Sequence, residues 1–355
     1  MTPLCTSPTS ARLSWLPRAF GLIGVDVGTC GLKLAQLQQT KTGWRFQACA
    51  QFEYGSGHFL TRESLLNNGL ASVLPRLQQA GGIFSGRDAA AALPSCLATL
   101  RSFEFPSGPM EDHRLMVEQE LAEDVASSGH EFAAWIGLPG SKTDRVIAVS
   151  ADHEISLKLA KELLAARLRT KILDAAPCAL ARAVALVESA DDELAAVLDL
   201  GYSTSLFMLV RGGQPLYCRT FRGCGMQALQ QAIETQLKLS AGEGRHLVGR
   251  YGVSFGAQQS AAKATGQACE GVLNLLVDEV LRTLLFGQSQ LRIAPTRLWL
   301  AGPGGVIPNL AAILQESLEL PTSAWRLPGS DDADDAVYAT AAGLSALAWE
   351  NSPCT

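Results

Sequence analysis

The stretch Gly24-Val-Asp-Val-Gly-Thr-Cys-Gly-Leu-Lys-Leu-Ala-Gln-Leu37 decides the fold. Its apolar residues alternate with polar or small ones on either side of a glycine-rich turn, a pattern typical of a β-hairpin. A third apolar run follows at Trp44–Phe52. We therefore predict that the ordered chain begins near Gly21 with three successive strands, and that Asp26 lies at the end of the first.

This three-strand unit occurs a second time. Ala195–Leu200 is an apolar run, and Gly201–Thr204 is a turn that carries hydroxyl groups. Two further apolar runs follow, at Ser205–Val210 and Pro215–Phe221. In both copies an aspartate, here Asp199, stands two residues before the first glycine of the turn. A unit repeated at this distance predicts two homologous lobes that face each other.

The rest of the chain mixes strand-like and helical patterns. The strand-like segments are 89–105, 131–149 and 296–301. The segments with helical spacing are 110–125, 155–168, a helix from about 176, 240–251, 272–286, 307–318 and 336–349, and we interpret 331–335 as an acidic loop. Strands interleaved with helices predict an α/β fold.

Composition excludes several classes of protein. Apolar residues make up 47% and charged residues 18% of the 355 residues, as in a globular protein of two or three domains. The net charge of -5 and the scattered basic residues argue against a nucleic-acid partner. The longest uncharged apolar tract contains Pro303 and Pro308, so we expect no membrane span. Nine cysteines without a C-x-x-C pair predict reduced, mostly buried thiols in a cytoplasmic protein.

Residues 1–20 are rich in proline, serine and threonine. We interpret them as a disordered or loosely docked extension rather than a signal peptide, because Pro17 and Arg18 interrupt any apolar core. A second interpretation stays open. The apolar residues of this segment, together with Arg12 and Arg18, would also suit contact with an anionic membrane surface.

The first turn is a candidate phosphate-binding loop. Asp26 is followed there by Gly28, Thr29 and Cys30. Glycine lets backbone N–H groups approach phosphate oxygens, and successive N–H groups form an anion-binding nest. The carboxylate at the strand end does not bind phosphate itself. It is suited to a hydrated Mg²⁺, which keeps several waters and takes one or two carboxylates.

Two further segments have comparable chemistry. The second turn repeats the arrangement with Asp199, Gly201, Ser203 and Thr204. One Asp-Gly turn is weak evidence because hairpins commonly contain one, but two matched copies strengthen the interpretation. The third segment, Leu300–Ile307, runs from a strand through a glycine-rich turn towards a helix, whose N-terminus would favour phosphate or adenosine. The alternative is a tight strand-to-helix connection.

These motifs, in this order, resemble those of the actin, sugar-kinase and chaperone ATPase superfamily: Asp26-x-Gly-Thr, Asp199-x-Gly and Ala301-Gly-Pro-Gly-Gly. Within it, the opening stretch is most similar to the PilM family of type IV pilus assembly proteins, related to the cell-division protein FtsA. The resemblance runs from about Gly21 to Trp349. It implies an α/β, actin-like two-lobed fold with duplicated ribonuclease-H-like domains and a small inserted subdomain.

The resemblance also implies a division of the chain. We expect an N-terminal extension at 1–20, a first lobe at 21–81 and 150–194, an inserted small subdomain at 82–149, a second lobe with the nucleotide-side helices at 195–335, and a C-terminal helix with a short tail at 336–355 that returns to the first lobe.

The cofactors implied by the resemblance are ATP and Mg²⁺. The first phosphate loop would contain Asp26, Gly28, Thr29, Cys30 and Lys33, and the second Asp199, Gly201, Ser203 and Thr204. The adenosine side would contain Gly302, Gly304 and Gly305, the family's glycine pair Gly223 and Gly225, and Glu243, which lies where relatives place an acid near the nucleoside. Asp26 and Asp199 are the expected Mg²⁺ ligands, and no catalytic residue is assigned.

Three departures from the family pattern indicate a divergent member with weakened nucleotide binding. Cys30 and Gly31 stand where relatives carry hydroxyl groups. The segment 118–132 lacks the Ile-Pro-aromatic motif expected there. The helix at 240–251 contains three glycines, each of which weakens a helix by roughly 1 kcal/mol relative to alanine.

The resemblance implies a cytoplasmic protein that binds ATP between its lobes and hydrolyses it slowly if at all. Its partners would be the cytoplasmic tail of a PilN-like inner-membrane protein and the pilus motor ATPase, and only these partners would bring it to the inner face of the membrane. We expect the tail to dock in the groove between the inserted subdomain and the first lobe. There Leu97, Leu100, Phe103 and Phe105 alternate with polar residues, as in an exposed sheet edge. Ordinary core packing explains the same alternation.

Two other functions stay open. One is a nucleotide-free scaffold of a pilus or type II secretion machine, similar to the cytoplasmic part of the type II secretion L protein. The other is a small-molecule kinase. A kinase needs a base to take the acceptor's proton, and no further acid lies in a sugar-kinase-like context. FtsA is disfavoured because 346–355 offers no amphipathic membrane-targeting helix.

Overall fold

The computed structural model describes residues 19–350, except 42, 56–57, 94–96, 125–128, 189–192 and 255–258. The chain divides into two compact units. The first comprises Met1–Leu186, Gly213–Leu216 and Thr340–Thr355, and the second comprises Val187–Gly212 and Tyr217–Ala339. The expected N-terminal extension lies outside the described residues except for its last two, so its nature stays a prediction.

The strands, in chain order, are β1 (Ile23–Val27), β2 (Gly31–Thr40), β3 (Gly43–Glu53), β4 (Asp88–Ala92), β5 (Ala98–Pro106), β6 (His130–Leu138), β7 (Thr143–Asp152), β8 (Arg169–Asp174), β9 (Ala195–Leu200), β10 (Thr204–Arg211), β11 (Gln214–Arg222), β12 (Arg297–Ala301) and β13 (Thr322–Ala324). The α-helices are α1 (Arg62–Leu66), α2 (Leu74–Ala80), α3 (Met110–Asp124), α4 (His153–Ala165), α5 (Ala176–Ala185), α6 (Met226–Leu237), α7 (Glu243–Tyr251), α8 (Ser260–Leu291), α9 (Leu310–Leu318) and α10 (Ala339–Ala346).

The first unit contains the hairpin and third strand predicted from the opening stretch. β1 pairs antiparallel with β2, and β2 pairs antiparallel with β3. β4 and β8 continue the sheet in parallel beyond β1, giving the order β3-β2-β1-β4-β8. Ile23, Val25 and Val27 are buried against Ile155 and Leu159 of α4. The alternation of apolar residues in β1 therefore directs one face of the strand into the core.

A second, smaller sheet in the first unit has the order β5-β7-β6 and is antiparallel throughout. α3 covers it, and Val117 and Leu121 pack with Phe105 of β5. The predicted insertion at 82–149 begins too early, because β4 pairs with β1 in the large sheet. The strand-like segment 89–105 contains two strands from different sheets.

The helices α3, α4 and α5 agree with the sequence pattern except at their ends. α4 begins after Asp152, whose side chain accepts a hydrogen bond from Glu154 N–H, and ends at Ala165 rather than at 168. Arg167 adopts a left-handed conformation and so ends the helix. α5 carries Pro177 in its first turn, as predicted. β8, α1 and α2 were not predicted.

The second unit repeats the arrangement of the first. Its sheet has the order β11-β10-β9-β12-β13, in which β9 and β10 are antiparallel and β12 and β13 add in parallel. β9 and β12 thus take the places that β1 and β4 take in the first unit. Val197, Leu198 and Phe207 are fully buried in this sheet. The duplication and the α/β class predicted from the sequence are confirmed.

Two helices of the second unit differ from their predicted bounds. α8 is much longer than 272–286, because Gly266 does not end the helix. A Cβ at Gly266 would lie 2.2 Å from Ser254 O, so this glycine allows a close approach of the backbone. α9 begins at Leu310 rather than at 307, after Pro308 and a left-handed Asn309.

The C-terminal region is not the single helix predicted at 336–349. It consists of a 3₁₀ segment at Ala333–Tyr338, α10, and a second 3₁₀ segment at Leu347–Trp349. The first segment replaces part of the predicted acidic loop, because Asp332 accepts a hydrogen bond from Asp334 N–H and Asp335 accepts one from Leu327 N–H. In the first unit Arg182 of α5 pairs with Asp174 and, at 2.8 Å, with Glu350.

Within the described ranges, no helix has both the length and the apolar character needed to cross a membrane. The cysteines of the same ranges are free thiols, and Cys178, Cys224 and Cys269 are buried. Burial raises the pKa of the Cys269 thiol to about 12. The Cys269 thiol therefore stays protonated and packs as a small apolar group.

Candidate functional site

The first Asp-x-Gly turn joins β1 to β2. Gly28 N–H donates to Gly31 O at 2.9 Å and so closes the turn. Asp26, near the end of β1, lies opposite Lys33 of β2, and Lys33 Nζ donates to Asp26 Oδ2 at 2.7 Å. Both side chains are largely buried, with 14% of Lys33 and 16% of Asp26 exposed. The hairpin therefore balances the charge of its own aspartate.

Residues just after β3 hold this turn from outside. Leu60 N–H donates to Thr29 O at 2.7 Å, and Tyr54 N–H donates to Cys30 O at 3.1 Å. The hydroxyl of Tyr54 donates to Gly28 O, also at 3.1 Å. Three successive carbonyl groups are thus bonded to protein, which fixes the conformation of the turn. Tyr54 was not predicted as a site residue, and its signal in the sequence is an aromatic residue directly after an edge strand.

The second Asp-x-Gly turn joins β9 to β10 in the second unit. Gly201 fits a close backbone approach, because a Cβ there would lie 2.5 Å from Thr204 O. Asp199 lies against Gly302, where a Cβ would be only 2.1 Å from Asp199 Oδ1. Ser203 and Thr204 are half-buried at the start of β10. The backbone of Gly302, directly after β12, is thus a neighbour of Asp199.

The glycine pair after β11 supports the second turn. Gly201 O accepts a hydrogen bond from Met226 N–H at 2.9 Å, and Tyr202 O accepts one from Gln227 N–H at 2.8 Å. A Cβ at Gly225 would lie 2.5 Å from Tyr202 O. Gly223 has φ +75°, a conformation that favours glycine. The first two backbone N–H groups of α6 therefore donate to the carbonyl groups of this turn and hold the turn against the start of the helix.

The third glycine segment differs from its prediction. Gly302 has φ +69° and is followed by a 3₁₀ segment, Pro303–Val306, so the turn does not lead directly into an α-helix. Gly304 packs on the Leu200 side chain, which a Cβ would approach to 2.2 Å, and Gly305 packs on Ala336. The backbone of this segment is thus a tight connection, which was the alternative interpretation of its sequence. The glycines keep the segment pressed against the end of β9.

Glu243 lies in the first turn of α7 and is exposed. It accepts hydrogen bonds from the hydroxyl and the N–H of Ser240, at 2.6 and 2.7 Å, and these bonds lower the pKa of its carboxyl group. The same helix borders an open cavity of about 520 Å³ that is lined by Gly242, Arg245, His246, Gly249 and Arg250. Sequence analysis missed this basic face. Its signal was arginine and histidine residues spaced between glycines.

The structure brings together some of the expected site residues within each unit. In the first unit these are Asp26, Gly28, Thr29, Cys30 and Lys33, and in the second unit Asp199, Gly201, Gly225, Gly302 and Gly304. The carboxylate of Glu243 accepts a hydrogen bond from Ser240, just before the start of α7. Across the described part of the chain, no three His, Cys, Asp or Glu side chains form a metal-binding cluster. Each turn offers one carboxylate, which suits a hydrated Mg²⁺.

A sequence model of the family described as type IV pilus assembly protein PilM matches residues 24–327, which is most of the chain. This chain belongs to the PilM family. The resemblance inferred from the opening stretch is thereby confirmed, and the protein is a PilM-like protein of type IV pilus assembly. A comparison with curated proteins found no match.

Solved structures show the fold. A PilM–PilN type IV pilus biogenesis complex is 20% identical, with a TM-score of 0.75 over 94% of this chain and 100% of that chain. The ethanolamine utilization protein EutJ from Carboxydothermus hydrogenoformans is 13% identical, with a TM-score of 0.57 over 93% of this chain and 90% of that chain. A non-polymerising MamK mutant bound to AMPPNP is 11% identical, with a TM-score of 0.50 over 93% and 98%. The PilM-like chain has the expected actin-like α/β fold.

Proposed function

We propose that this PilM-family protein binds ATP with Mg²⁺ and holds the cytoplasmic tail of a PilN-like membrane protein at the inner face of the inner membrane. The nucleotide part is carried by one observation. Each unit has an Asp-x-Gly turn at the same place in a sheet of the same strand order. Two such turns are suited to the phosphates of one nucleotide, because each offers a compact backbone turn beside a carboxylate.

In this proposal both turns contribute groups that bind the phosphates and Mg²⁺. Asp26 and Asp199 would hold the hydrated Mg²⁺, whose charge offsets that of the phosphates. Lys33 would bind a phosphate oxygen, since its ammonium group already lies beside the first turn. Backbone N–H groups would come from Thr29 and Cys30 in the first turn and from Ser203 and Thr204 in the second. The N–H groups of Gly28 and Gly201 donate within the turns, to Gly31 O and Asp199 O, so these two glycines would contribute the tight backbone rather than donors.

The nucleoside would bind on the second unit. Gly302, Gly304 and Gly305 keep the segment after β12 flat, because none of them carries a side chain. Gly223 and Gly225 do the same before α6. Glu243 would lie near the nucleoside, with the basic face of α7 beside it. MamK, which has the same fold, is bound to AMPPNP in its structure, and this supports the choice of an adenine nucleotide.

We propose that hydrolysis is slow at most, because the first turn carries Cys30 where a hydroxyl group would donate to phosphate. A nucleotide-free scaffold is the second candidate function. It is favoured by the Asp26–Lys33 ion pair, in which the expected Mg²⁺ ligand and the expected phosphate ligand satisfy each other at 2.7 Å. Nucleotide binding requires this pair to rearrange.

The proposed partner surface is the outer edge of β5. β5 forms one side of the small sheet and pairs with β7 along its whole length, Ala98–Pro106. Phe103 and Phe105 pack in the core of the small subdomain, so core packing explains the alternation that the sequence shows. An extended tail would bind to the backbone of this edge strand and so add a further strand to the sheet. The PilM–PilN complex supports a PilN-like tail as the occupant. Contact with the pilus motor ATPase is part of the proposal, without assigned residues.

Thermal unfolding with and without ATP–Mg tests the nucleotide part. At a concentration 100 times the dissociation constant, a ligand that binds only the folded state adds about 2.7 kcal/mol of stability. A clear rise in Tm with millimolar ATP–Mg is expected. An unchanged Tm favours the nucleotide-free scaffold.

Amide hydrogen exchange with a synthetic peptide of the PilN-like protein's cytoplasmic tail tests the partner part. Slower exchange in β5 is expected, with α9 as an internal reference that stays unchanged. Protection confined to residues 195–335 would contradict the proposed surface.

A further inference from the structure

β11 is a single strand with residues in both units. It follows a two-residue turn in which Gly212 and Gly213 both have positive φ, +56° and +72°, as a tight hairpin requires. The segment Gly213–Leu216 groups with the first unit, and the strand from Tyr217 onward groups with the second. The start of β11 therefore belongs to the first unit, although the strand is also bonded to β10.

Those neighbours belong to β6 of the small sheet. The indole N–H of Trp135 donates to Pro215 O at 2.8 Å in a buried hydrogen bond, and only 8% of Trp135 is exposed. Gly137 lies so close that a Cβ there would be 2.6 Å from Leu216 O. A buried carbonyl group that lost its donor would be left unsatisfied, which is unfavourable. The small sheet thus holds the start of β11 by a specific bond and by a close backbone approach.

The middle of β11 is held by α8. Arg219 pairs with Glu279 at 2.7 Å and donates to Thr283 Oγ1 at 3.0 Å. The rings of Tyr217 and Phe286 are 5.4 Å apart. Because β11 is also bonded to β10 within the sheet, it moves as part of a packed layer and not as a loose segment.

The far end of β11 leads into the glycine pair. Gly225 packs on Tyr202 O, and the next two amides donate to the second Asp-x-Gly turn. At about 3.3 Å per residue, the path from Pro215 to this turn is roughly 30 Å long. One strand therefore connects the small sheet that carries the proposed partner edge with the turn proposed to bind phosphate.

We propose that Trp135 is a coupling residue, through which β11 transmits nucleotide binding at the second Asp-x-Gly turn to the small sheet. The inference rests on the proposed nucleotide function. A ligand that fixes residues 223–227 restrains the far end of β11, and the Trp135–Pro215 bond passes this restraint to β6. Coupling of this kind is reciprocal, so a change at Trp135 alters the exchange of the distant turn as well.

Trp135→Phe tests this in the full-length protein, because it keeps an aromatic ring in the core and removes the indole N–H donor together with part of the ring volume. The control below loses the same atoms. Trp299→Phe is the matched control. Trp299 also donates its indole N–H, to Glu188 at 2.5 Å, but it lies on β12. Amide hydrogen exchange is measured at 130–138 and at 223–227, first without nucleotide and then with ATP–Mg.

Without nucleotide, Trp135→Phe is expected to raise exchange at least threefold in both segments, whereas Trp299→Phe leaves 130–138 unchanged. A rise confined to 130–138 overturns the inference. With ATP–Mg, the wild-type protein is expected to slow exchange in both segments and Trp135→Phe only at 223–227. Slowing at 130–138 that persists in Trp135→Phe also overturns it. If ATP–Mg does not bind the wild-type protein, the proposed function fails, and the measurement without nucleotide still decides whether β11 connects the two segments.

Discussion

The two Asp-x-Gly turns lie at equivalent places in two sheets of the same strand order, but their surroundings differ. In the first unit Asp26 is paired with Lys33 of the adjacent antiparallel strand. In the second unit Asp199 lies against Gly302, just beyond the adjacent parallel strand. The shared sheet therefore determines where each acid lies, while the adjacent residue differs: Lys33 lies beside Asp26, and the backbone of Gly302 lies beside Asp199.

The largest expected effect comes from closing the space beside Asp199. Gly302→Ala places a Cβ 2.1 Å from Asp199 Oδ1 at a residue with φ +69°. We expect the free energy of unfolding to fall by about 3 kcal/mol or more, because strain and a close contact add. Urea unfolding measures this.

Gly329→Ala is the matched control for this substitution. Gly329 also has positive φ, +79°, but a Cβ there meets no atom within 4 Å. Only the strain of the left-handed backbone conformation remains, so the free energy of unfolding should fall by about 1–2 kcal/mol. Equal losses for the two variants would show that the contact with Asp199 contributes nothing.

The next prediction compares the two turns directly. A Cβ at Gly201 would lie 2.5 Å from Thr204 O, whereas one at Gly28 would lie 3.0 Å from Gly31 O. We expect Gly201→Ala to lower the free energy of unfolding by about 2 kcal/mol and Gly28→Ala by about 1 kcal/mol. Chemical denaturation of both variants checks the order, and a larger loss for Gly28→Ala would reverse the comparison.

A smaller effect is expected from the support outside the first turn. Tyr54→Phe removes the hydroxyl group that donates to Gly28 O at 3.1 Å. The loss should be about 1 kcal/mol, since a carbonyl group of the turn loses its donor. Tyr251→Phe removes a hydroxyl from a half-buried tyrosine in the second unit and should change stability by less than about 0.5 kcal/mol. A neutral Tyr54→Phe would show that the turn does not depend on this bond.

The smallest effect concerns pH and the start of α7. Hydrogen bonds from Ser240 lower the pKa of Glu243, so its stabilising contribution is present above the ordinary glutamate pKa of about 4.3 and is lost as pH falls through the lowered value. The stability difference between the wild-type protein and Glu243→Gln should be constant near pH 7 and shrink below about pH 4. Urea unfolding across this pH range measures the difference, and Glu270→Gln at an exposed position is the control. A difference that persisted in acid would contradict the prediction.

Much of the fold follows from local sequence pattern. The strands around both turns could be predicted because short apolar runs, such as Ala195–Leu200, flank glycine turns. The boundary between β4 and β5 could not, because the whole segment 89–105 has a strand-like pattern and the assignment of its two strands to different sheets depends on tertiary pairing. α8 was predicted too short because Gly266 weakens the helical pattern, although in the fold it permits a close backbone contact.

The candidate site was predictable only in part. Both aspartates and their glycines stand out in the sequence because each motif is short and contiguous. The approach of Gly302 to Asp199 and the bond from Tyr54 to Gly28 join residues far apart in the chain, so no local pattern contains them. The roles assigned to the site residues in nucleotide binding stay predictions.

Calorimetric titration with ATP–Mg of the wild-type protein and of the two aspartate variants tests the central claim most directly. We expect the wild-type protein to bind and both variants to stay folded with weaker Mg²⁺-dependent binding. Asp199→Asn should lose tenfold or more in affinity, about 1.4 kcal/mol. Asp26→Asn should lose less, because removing its charge releases Lys33 for phosphate. Asp278→Asn, on the exposed side of α8, should bind as the wild-type protein does. Absence of binding by the wild-type protein, or unchanged binding by both variants of the turns, would contradict the account.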